Sequence, residues 1–333
     1  MTARAAPDTC GPARFAGRVP RALEGMRVDR AVSVLTGIAR SEAADLVAAG
    51  RVRVDGRPLL QRSAQLRTGS ELVVELPSAR PLLEPDASVP FEVVHEDRDL
   101  VVVDKPAGVV VHPGAGSPRP TLVAGLLARF PDIADLAALS DPSRPGVVHR
   151  LDKGTSGLLV VARSEAAYRS LVAQMGARTV GRRYLALVDG AVPDDRGIVD
   201  APVGRSTRTP TKMAVTPSGR PARTRYAVVR RVERLYVDGA WTARPASLLS
   251  CALETGRTHQ IRVHLAAIGY PVHGDDRYGP PRAPSGLARG RLFLHAAELA
   301  IDHPATGARV GWSSPLPDDL AGLLDGPQAP PAS

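Results

Sequence analysis

The sequence predicts an α+β protein in two parts, a small αα-β module at the N-terminus and a larger domain with a mixed, mainly antiparallel sheet. The chain has 333 residues, which is more than one domain of ~150 residues accounts for. A linker with three prolines at residues 81–90 separates two stretches of different pattern. In residues 91–320 strand candidates outnumber helix candidates, which favours an antiparallel sheet with flanking helices over a doubly wound fold.

The N-terminal part is predicted to be a disordered basic arm over residues 1–18, followed by a compact module over 19–80. Apolar residues at helical spacing predict a first helix, on positions Val28, Ala31, Val32 and Leu35. A second helix is predicted to begin with Ser41 as its N-cap and to stop at Gly50. Strands are predicted at 52–54 and 71–76, with an Asp55-Gly56 turn after the first.

The second stretch carries the remaining elements. Its strand candidates are 91–94, 100–103, 158–162, 184–188, 225–232, 248–253 and 291–294, and its helix candidates are 121–129, 166–175 and 259–268. The last helix is predicted to end at Gly269, with Pro271 just beyond. Residues 321–333 are rich in proline and are predicted to be a disordered tail.

The net charge is basic and is carried almost wholly by arginine. Lys and Arg number 43 against 34 Asp and Glu, giving +9, and three of the 43 are lysines. Because guanidinium is a planar and always-charged donor, this bias indicates a phosphate-bearing partner, nucleic acid first and an anionic membrane second. A GC-rich genome also favours arginine, so composition by itself leaves the choice open.

Composition also excludes several classes of protein. Hydrophobic residues make up 44% and charged residues 23%, the balance of a globular enzyme rather than a disordered or fibrous chain. Two cysteines, Cys10 and Cys251, are too few for a disulfide framework or a cysteine-based zinc site, which points to a reducing cytoplasm. No apolar export signal and no run near 18 apolar residues occurs, so no membrane span is predicted.

A dense polar cluster at residues 149–157 directly precedes an apolar strand. A loop that enters a buried strand is fixed by the sheet while its side chains stay accessible, which suits Asp152 as a catalytic carboxylate. The alternative is a solvated Asp-Lys-Gly turn with incidental charges.

A second cluster spans residues 254–265. Thr258 can cap a helix whose first turn holds His259, Gln260 and Arg262, and such a helix N-terminus is an anion site. His259 and His264 are five positions apart, so they do not share a helix face and a metal site is not favoured. The alternative for both histidines is a place in the core.

Two further features are Tyr184 in the strand 182–188 and a basic run over 203–234. A tyrosine in a strand is most often ordinary packing. The run holds nine Lys and Arg against Glu233, and its alternative is a solvated face. Because it holds nearly all the net charge, phosphate binding is the better explanation.

Together these segments resemble the RluA family of pseudouridine synthases. The string HRLDKGTSGLLVVA at 149–162, RRYLALV at 182–188 and ETGRTHQIRVHLAAIGYPVHGDDRYG at 254–279 carry the resemblance, with DKPAGVVVHPGAG at 104–116, TKMAV at 211–215 and LHA with HPATG within 294–307. It covers roughly 91–320. The module over 19–80 resembles a small RNA-binding module shared with a small-subunit ribosomal protein.

The resemblance implies isomerisation of specific uridines in RNA, without cofactor or metal. The N-glycosidic bond is cut, the uracil rotates, and a carbon–carbon bond forms through ring carbon five. The expected substrate is large-subunit ribosomal RNA, with transfer RNA as the alternative. The expected location is the cytoplasm, the default oligomeric state is a monomer, and no membrane partner is expected.

By motif matching, Asp152 is the catalytic aspartate, which attacks the sugar or the ring or abstracts a ribose proton. Arg262 matches the residue that pairs with it, Tyr184 the tyrosine that stacks on uracil, and Arg150 the residue that holds the flipped base out. Further expected substrate contacts are His149, Thr155, Arg257, His259 and Gln260. Expected contacts to the RNA backbone are Arg205, Arg208, Lys212, Arg223 and Arg225.

Two departures from the family pattern limit this transfer. Gly154 stands where many members have a polar or acidic residue, and 291–293 replaces the usual glutamine-bearing approach to LHA, so no contact is assigned there. Rival functions are a non-catalytic RNA-binding protein and a nucleoside hydrolase. The complete Asp/Tyr/Arg set disfavours the first. A glycosidase needs two carboxylates, whereas the loop at 149–157 offers one, Asp152, and Glu254 lies far away in sequence.

Overall fold

The computed structural model describes residues 14–38, 40–76, 83–113, 120–209, 211–280 and 285–326, with the side chain of Ser41 left out. The chain divides into two compact units, Met1–Leu82 and Leu83–Ser333. The division lies inside the predicted linker. None of the helices in these described ranges has the length and hydropathy of a membrane span.

The N-terminal unit is an antiparallel sheet with two helices. Its elements are β1 Arg14–Arg18, α1 Val28–Thr36, α2 Arg40–Ala48, β2 Val52–Val54, β3 Arg57–Pro58 and β4 Glu71–Glu75, with a 3-10 turn at Arg21–Leu23. The strands are ordered β1-β4-β2-β3. Its core is built from the apolar faces that the helical and alternating patterns predict, including Val28, Val32, Val52 and Leu72.

Two predictions for this unit are corrected. Residues 14–18 do not belong to a disordered arm, because they pair with β4 in register from Arg14–Glu75 to Arg18–Glu71. Phe15 packs on the core, and the backbone pairing offsets the low apolar content of this segment. The second helix begins at Arg40, so Ser41 lies inside it and is not its N-cap. Residues 1–13 of the predicted arm lie outside the described residues.

The second unit is built on a nine-stranded sheet. The strands of the whole unit, including four that lie outside this sheet, are β5 Glu92–Glu96, β6 Leu100–Lys105, β7 Ser156–Ala162, β8 Gly181–Asp189, β9 Arg196–Asp200, β10 Val203–Arg205, β11 Met213–Val215, β12 Arg223–Val232, β13 Leu235–Val237, β14 Ala240–Thr242, β15 Ala246–Leu253, β16 Leu294–Asp302 and β17 Arg309–Ser313. The helices are α3 Leu122–Arg129, α4 Glu165–Ala177, α5 Gln260–Ala267 and α6 Asp318–Asp325, with a 3-10 stretch at Pro131–Ala138.

The strand order is β5-β6-β7-β16-β8-β15-β12-β9, with β17 also paired to β16. Among these described strands β7 and β16 pair in parallel and the other pairs are antiparallel. The predicted α+β class with a mixed, mainly antiparallel sheet is therefore confirmed. The hairpins β10–β11 and β13–β14 stand apart from this sheet.

Strand β7 is buried on both faces, which fixes the loop that enters it. All seven of its residues are buried. Leu159 and Val161 belong to one apolar cluster, together with side chains of α3 and α5. Leu158 and Val160 belong to a second cluster that includes side chains of α4. The sequence of a strand that is covered on both faces is continuously apolar rather than alternating between apolar and polar residues.

The C-terminal region differs from its prediction in two places. The strand expected at 291–294 begins only at Leu294, because the N–H groups of Leu292 and Phe293 donate to the loop carbonyl oxygens of Gly154 and His273 instead of continuing a ladder. The tail predicted from residue 321 begins later, since α6 reaches Asp325. Its leucines, Leu320, Leu323 and Leu324, pack in a cluster with Phe293. Residues 327–333 lie outside the described residues.

Candidate active site

The loop before β7 holds Asp152 in a fixed position. The Asp152 carbonyl oxygen accepts from the Thr155 N–H at 3.1 Å, and the Lys153 carbonyl oxygen accepts from the Gly108 N–H at 2.7 Å. Leu151 is buried in the core beside it. The Asp152 side chain keeps 16% of its surface exposed. The loop is therefore held by its backbone while the carboxylate still reaches solvent.

Arg262 joins two carboxylates. Its Nη1 donates to Asp152 Oδ2 at 3.1 Å, and its Nε and Nη2 donate to the two oxygens of Asp275 at 2.7 and 2.8 Å. The Asp275 side chain is fully buried. A bidentate arginine–carboxylate pair fixes the plane of the guanidinium group, so Asp275 orients Arg262, and Arg262 in turn orients Asp152.

Arg262 is positively charged at neutral pH. Burial by itself lowers the pKa of Arg262, but the hydrogen bonds and charge of Asp275, followed by those of Asp152, outweigh it and hold the pKa above its ordinary value. For Asp275, burial raises the pKa, but the hydrogen bonds and the charge of Arg262 lower it by more. The pKa of Asp275 therefore lies below its ordinary value. The pair is therefore ionised at neutral pH.

His259 and Tyr278 close one side of the carboxylate. His259 Nε2 lies 3.9 Å from Asp152 Oδ1, and its Nδ1 lies 2.7 Å from the Tyr278 hydroxyl, which accepts from the Met213 N–H at 3.1 Å. The Arg262 guanidinium lies 5.1 Å from the centre of the Tyr278 ring, within reach of a cation–π contact. Burial lowers the pKa of His259.

Sequence reasoning missed part of this arrangement. Asp275 and Tyr278 stand in the quoted HGDDRYG string, which is the signal that could have identified them. The predicted cap also differs, because His259, not Thr258, is the N-cap of α5, with a left-handed φ of 56°. That conformation is uncommon for a non-glycine residue and sets the direction in which the His259 ring leaves the chain.

Tyr184 lies in the middle of the sheet and is 6% exposed. Its strand neighbours are the small residues Cys251 on β15 and Ala296 on β16. Burial raises the pKa of Tyr184, so its hydroxyl stays protonated at neutral pH. None of the side-chain hydrogen bonds found among the described residues includes that hydroxyl. The ring and hydroxyl are thus available to a ligand.

These side chains line one cavity of about 460 Å³, within the ~300–1,000 Å³ typical of small-molecule sites. It includes every catalytic and substrate-contact residue predicted from the sequence: Asp152, Tyr184, Arg262, Arg150, His149, Thr155, Arg257, His259 and Gln260. Its charged lining consists of Arg144, Arg150, Arg178, Arg182, Arg257, Arg262, Asp152 and Glu254. With six arginines and two carboxylates, the lining attracts anions.

Gln260 lies in the wall of the cavity, where its side chain bonds to neighbouring protein groups. Its Nε2 donates to the Arg223 carbonyl and the Thr224 hydroxyl, each at 3.0 Å. Its Oε1 accepts from the Thr255 hydroxyl at 2.7 Å and the Arg257 N–H at 3.0 Å. These four hydrogen bonds fix its side chain within the protein, and its predicted contact with substrate stays a prediction.

The predicted RNA-backbone residues do not form one uniform patch. Arg223 and Arg225 are both ion-paired with Glu254. Lys212 donates to the Arg277 carbonyl at 2.6 Å, which ties the β10–β11 hairpin to the turn that holds Asp275. Arg205 and Arg208 are exposed on that hairpin.

Lys105, in the DKPAG string, was not predicted as a site residue. It is fully buried and donates to the carbonyl oxygens of Pro106 and Val109 at 2.8 and 3.0 Å. Burial, and then the charge of Arg291, lowers its pKa to about 7. These bonds fix the turn whose Gly108 N–H donates to the loop that carries Asp152.

Arg291 supports the same loop from the opposite side. Its Nη1 donates to the Gly154 carbonyl at 3.1 Å and its Nη2 to the Ser156 hydroxyl at 3.1 Å. Its Nε donates to Asp319 at 2.6 Å, at the start of α6. No contact was assigned at 291–293 from the sequence, so this clamp is visible only in the structure.

Gly154 is required by the close approach of this clamp. A Cβ at residue 154 would lie 2.2 Å from the Gly290 carbonyl oxygen, far inside van der Waals contact. We expect Gly154→Ala to lower the unfolding free energy by about 1–3 kcal/mol and kcat by about 10-fold, because the loop must move. Denaturant unfolding and single-turnover kinetics measure the two effects. Gly322→Ala, where nothing lies within 4 Å, is the control, and equal behaviour of both variants would contradict the prediction.

Comparison with known proteins identifies the family. Residues 99–267 match the family described as RNA pseudouridylate synthase. The chain is 42% identical over 320 residues to "Ribosomal large subunit pseudouridine synthase D" of Pseudomonas aeruginosa, covering 93% of this chain and 94% of that protein. This chain belongs to the RNA pseudouridine synthase family. The predicted resemblance to the RluA type and the predicted enzyme class are thereby confirmed.

Other relatives agree with this membership. An "Uncharacterized RNA pseudouridine synthase" of Chloroflexus aurantiacus is 45% identical over 316 residues, covering 92% of this chain and 91% of that protein. The solved structure of "Human RNA Pseudouridylate Synthase Domain Containing 1" is 30% identical, with a TM-score of 0.54, and covers 71% of this chain and 89% of that one. The pseudouridine synthase therefore acts on RNA. Within its described residues, no group of three or more His, Cys, Asp or Glu side chains is arranged to hold a metal ion.

Proposed function

We propose that this pseudouridine synthase isomerises uridine in large-subunit ribosomal RNA, with Asp152 as the catalytic carboxylate acting on a flipped-out nucleotide. The observation that carries the proposal is the Asp152–Arg262–Asp275 chain of hydrogen bonds at the wall of a cavity of about 460 Å³. An enzyme that works on a base within RNA must bring that nucleotide out of the stack into such a pocket.

The geometry distinguishes the two oxygens of Asp152. Oδ2 accepts from Arg262 Nη1 at 3.1 Å, whereas the contact found for Oδ1 among the described residues is with His259 Nε2, at 3.9 Å. Oδ1 is therefore the oxygen that reaches substrate. Attack on the sugar, attack on the ring and abstraction of a ribose proton all require one such oxygen, positioned before the substrate arrives.

Tyr184 completes the reacting pocket. The bond from ribose C1′ to uracil N1 breaks, the uracil turns, and C1′ joins ring carbon five, which then loses its hydrogen to water. We assign stacking on the uracil to the ring of Tyr184, and assistance to that proton transfer to its unpaired and protonated hydroxyl.

Arg150 is placed to hold the base out of the helix. It is exposed at the cavity, and its Nη1 lies 3.5 Å from His112 Nε2. Burial, and then the charges of Arg150 and Arg144, lowers the pKa of His112 to about 4, so His112 is neutral and does not repel the guanidinium. Flipping costs a few kcal/mol, and an inserted side chain offsets part of that cost.

Ribosomal RNA is the proposed substrate for two reasons. Several relatives at about 40% identity carry the name "Ribosomal large subunit pseudouridine synthase D". The N-terminal unit, with ten arginines against seven acids over residues 19–80, supplies a basic module suited to RNA backbone. We keep the cytoplasmic location and the monomeric state as part of this proposal.

The test uses RNA with tritium at ring carbon five of uridine. Large-subunit ribosomal RNA fragments and transfer RNA transcripts are incubated separately with the full chain. Tritium release from the ribosomal fragments with an intact backbone is the expected result. Release from transfer RNA alone would refute the ribosomal assignment. Tight binding without release would refute the catalytic assignment to this chain.

A hydrolase is disfavoured by the state of Glu254. This second carboxylate lines the same cavity as Asp152, as a glycosidase would require. However, its hydrogen bond with Arg225 and the charges of Arg223 and Arg225 lower its pKa. A general acid needs a raised pKa, so Glu254 is an ionised structural partner of two arginines. Free uracil in the tritium assay would contradict this conclusion.

The exposed arginines of the β10–β11 hairpin are expected to bind phosphates. Arg208→Gln should reduce the slope of log Kd against log salt by about 0.7–0.9 for each phosphate that the variant no longer neutralises. Arg225→Gln should change the slope less, because Arg225 is already paired with Glu254. Filter binding of a ribosomal RNA fragment across a salt series measures both. An unchanged slope in Arg208→Gln would make the hairpin a merely solvated face.

A further inference from the structure

Arg182, at the start of β8, is a cavity arginine without a partner. It lines the cavity, and its Nε is buried with no hydrogen-bond partner. Within the described residues its guanidinium also forms no ion pair, because none of the ion pairs or hydrogen bonds found there includes its side chain. No catalytic or binding role was predicted for it from the sequence.

Two buried arginines that bind the loop at residues 152–156 have ionic partners. Arg262 binds Asp275 and Asp152, and Arg291 binds Asp319 and two carbonyl oxygens. Arg182 is half-buried, and its Nε is shielded from water without an acceptor, which is costly for a polar donor. An unpaired arginine in a cavity is therefore a site that an anionic group of the substrate satisfies.

His149 supplies a second unpaired donor to the same cavity. Its Nε2 accepts from the Val160 N–H at 3.1 Å, so the ring proton of the neutral form lies on Nδ1. Burial, and then the charge of Arg182, lowers the pKa of His149 to about 3, so the ring is neutral at physiological pH. Its Nδ1 is buried and lacks a partner.

Gly256 keeps the space around Arg182 open. A Cβ at residue 256 would lie 2.8 Å from Arg182 Nη1, which would displace the guanidinium. Charge complementarity then decides the ligand. In an RNA the anionic group is the phosphodiester, and arginine binds phosphate oxygens in a bidentate manner.

We propose that Arg182, with the His149 Nδ1–H as second donor, binds the phosphate next to the flipped uridine. This phosphate subsite deepens the proposed function and rests on it only in taking RNA as the ligand. It adds a substrate-binding residue that anchors the sugar–phosphate unit while Asp152 and Tyr184 act on the sugar and base.

The first test needs no ribosomal RNA. Binding of uridine, uridine 5′-monophosphate and uridine 3′-monophosphate is measured for wild-type protein, Arg182→Gln and Arg182→Lys. Wild type should bind at least one monophosphate about 10-fold more tightly than uridine, the scale of one charge-assisted hydrogen bond. Arg182→Gln should abolish that preference, and Arg182→Lys should restore part of it. Equal binding of all three ligands by wild type would overturn the subsite.

The matched control is Arg183→Gln. Arg183 is the next residue on β8, is exposed and pairs with Glu298 at 3.3 Å. This variant should keep both the preference for the monophosphate and the wild-type kcat/KM. An equal loss in Arg183→Gln would show a general charge effect and would contradict a site at Arg182.

The second test uses the RNA on which wild type releases tritium, with one neutral methylphosphonate linkage 5′ or 3′ of the modified uridine. One linkage should lower wild-type kcat/KM about 10-fold and should cause no further loss in Arg182→Gln. If each methylphosphonate linkage lowered the kcat/KM of Arg182→Gln as much as that of wild type, the contact between Arg182 and the phosphate would be overturned. Failure of wild type on unmodified RNA would refute the proposed function alone, because the mononucleotide test is independent of turnover.

Discussion

Asp152→Asn is expected to lower tritium release from RNA by at least about 1,000-fold, the scale seen when a reacting side chain is removed. Asparagine has the same shape, and its amide oxygen can still accept from Arg262 at the position of Oδ2. The change removes the negative charge and turns the oxygen that faces substrate into a group without carboxylate reactivity. Binding should stay within about 10-fold, since the arginines of the cavity are unchanged.

The measurement is single-turnover tritium release with a saturating excess of enzyme, together with the Kd from filter binding. Asp238→Asn is the matched control, because Asp238 lies in the β13–β14 turn, and asparagine tolerates its left-handed φ of 51°. It should keep wild-type activity. Release by Asp152→Asn within about 10-fold of wild type would show that another group carries the reaction.

Arg262→Lys is expected to lower kcat by about 100-fold, the scale of a small misplacement of a reacting group. A lysine ammonium cannot reproduce the fork that binds both oxygens of Asp275 while reaching Asp152. The loss should appear in kcat more than in KM, because Arg262 positions Asp152 and binds no substrate phosphate in the arrangement proposed. Buried Asp275 also keeps a poorer partner, which should lower the unfolding free energy by about 1–3 kcal/mol.

Assays below the midpoint of thermal unfolding separate the two effects. Arg169→Lys, in an exposed i,i+4 pair with Glu165, is the control and should change neither kcat nor stability measurably. Asp275→Asn provides a second approach, since it weakens the same support without touching Arg262. If kcat stayed near the wild-type value in both Arg262→Lys and Asp275→Asn, the positioning of Asp152 by Arg262 and Asp275 would be wrong.

The local strings of the sequence predicted the main parts of the candidate site. Asp152, Tyr184 and Arg262 lie in three segments far apart in the chain, and each segment also predicts the strand or helix that carries it. The apolar run of β7, the alternation of β8 and the spacing in α5 are short-range patterns. They identified the elements correctly because each element buries a face or a whole strand that the residue types already indicate.

The segments that were missed depend on distant partners. Strand β1 forms because β4 offers its edge, and α6 forms where its leucines meet Phe293. The 291–294 prediction failed because the N–H groups of Leu292 and Phe293 bond to the loop carbonyl oxygens of Gly154 and His273 rather than to a neighbouring strand. None of these partners is near in sequence, so local periodicity carries no signal for them.

By itself, then, the sequence predicted the α+β class, which follows from residue type and short spacing, and it predicted the catalytic candidates through the family resemblance of its motifs. Only the tertiary structure decided that Arg262 holds one oxygen of Asp152, that Asp275 orients Arg262, and that Gln260 makes four hydrogen bonds within the protein. It also decided that Arg182 has no ionic partner among the described residues, while Arg223 and Arg225 have one in Glu254. Whether a charge is satisfied depends on groups brought within a few ångströms by folding, and sequence distance does not record that.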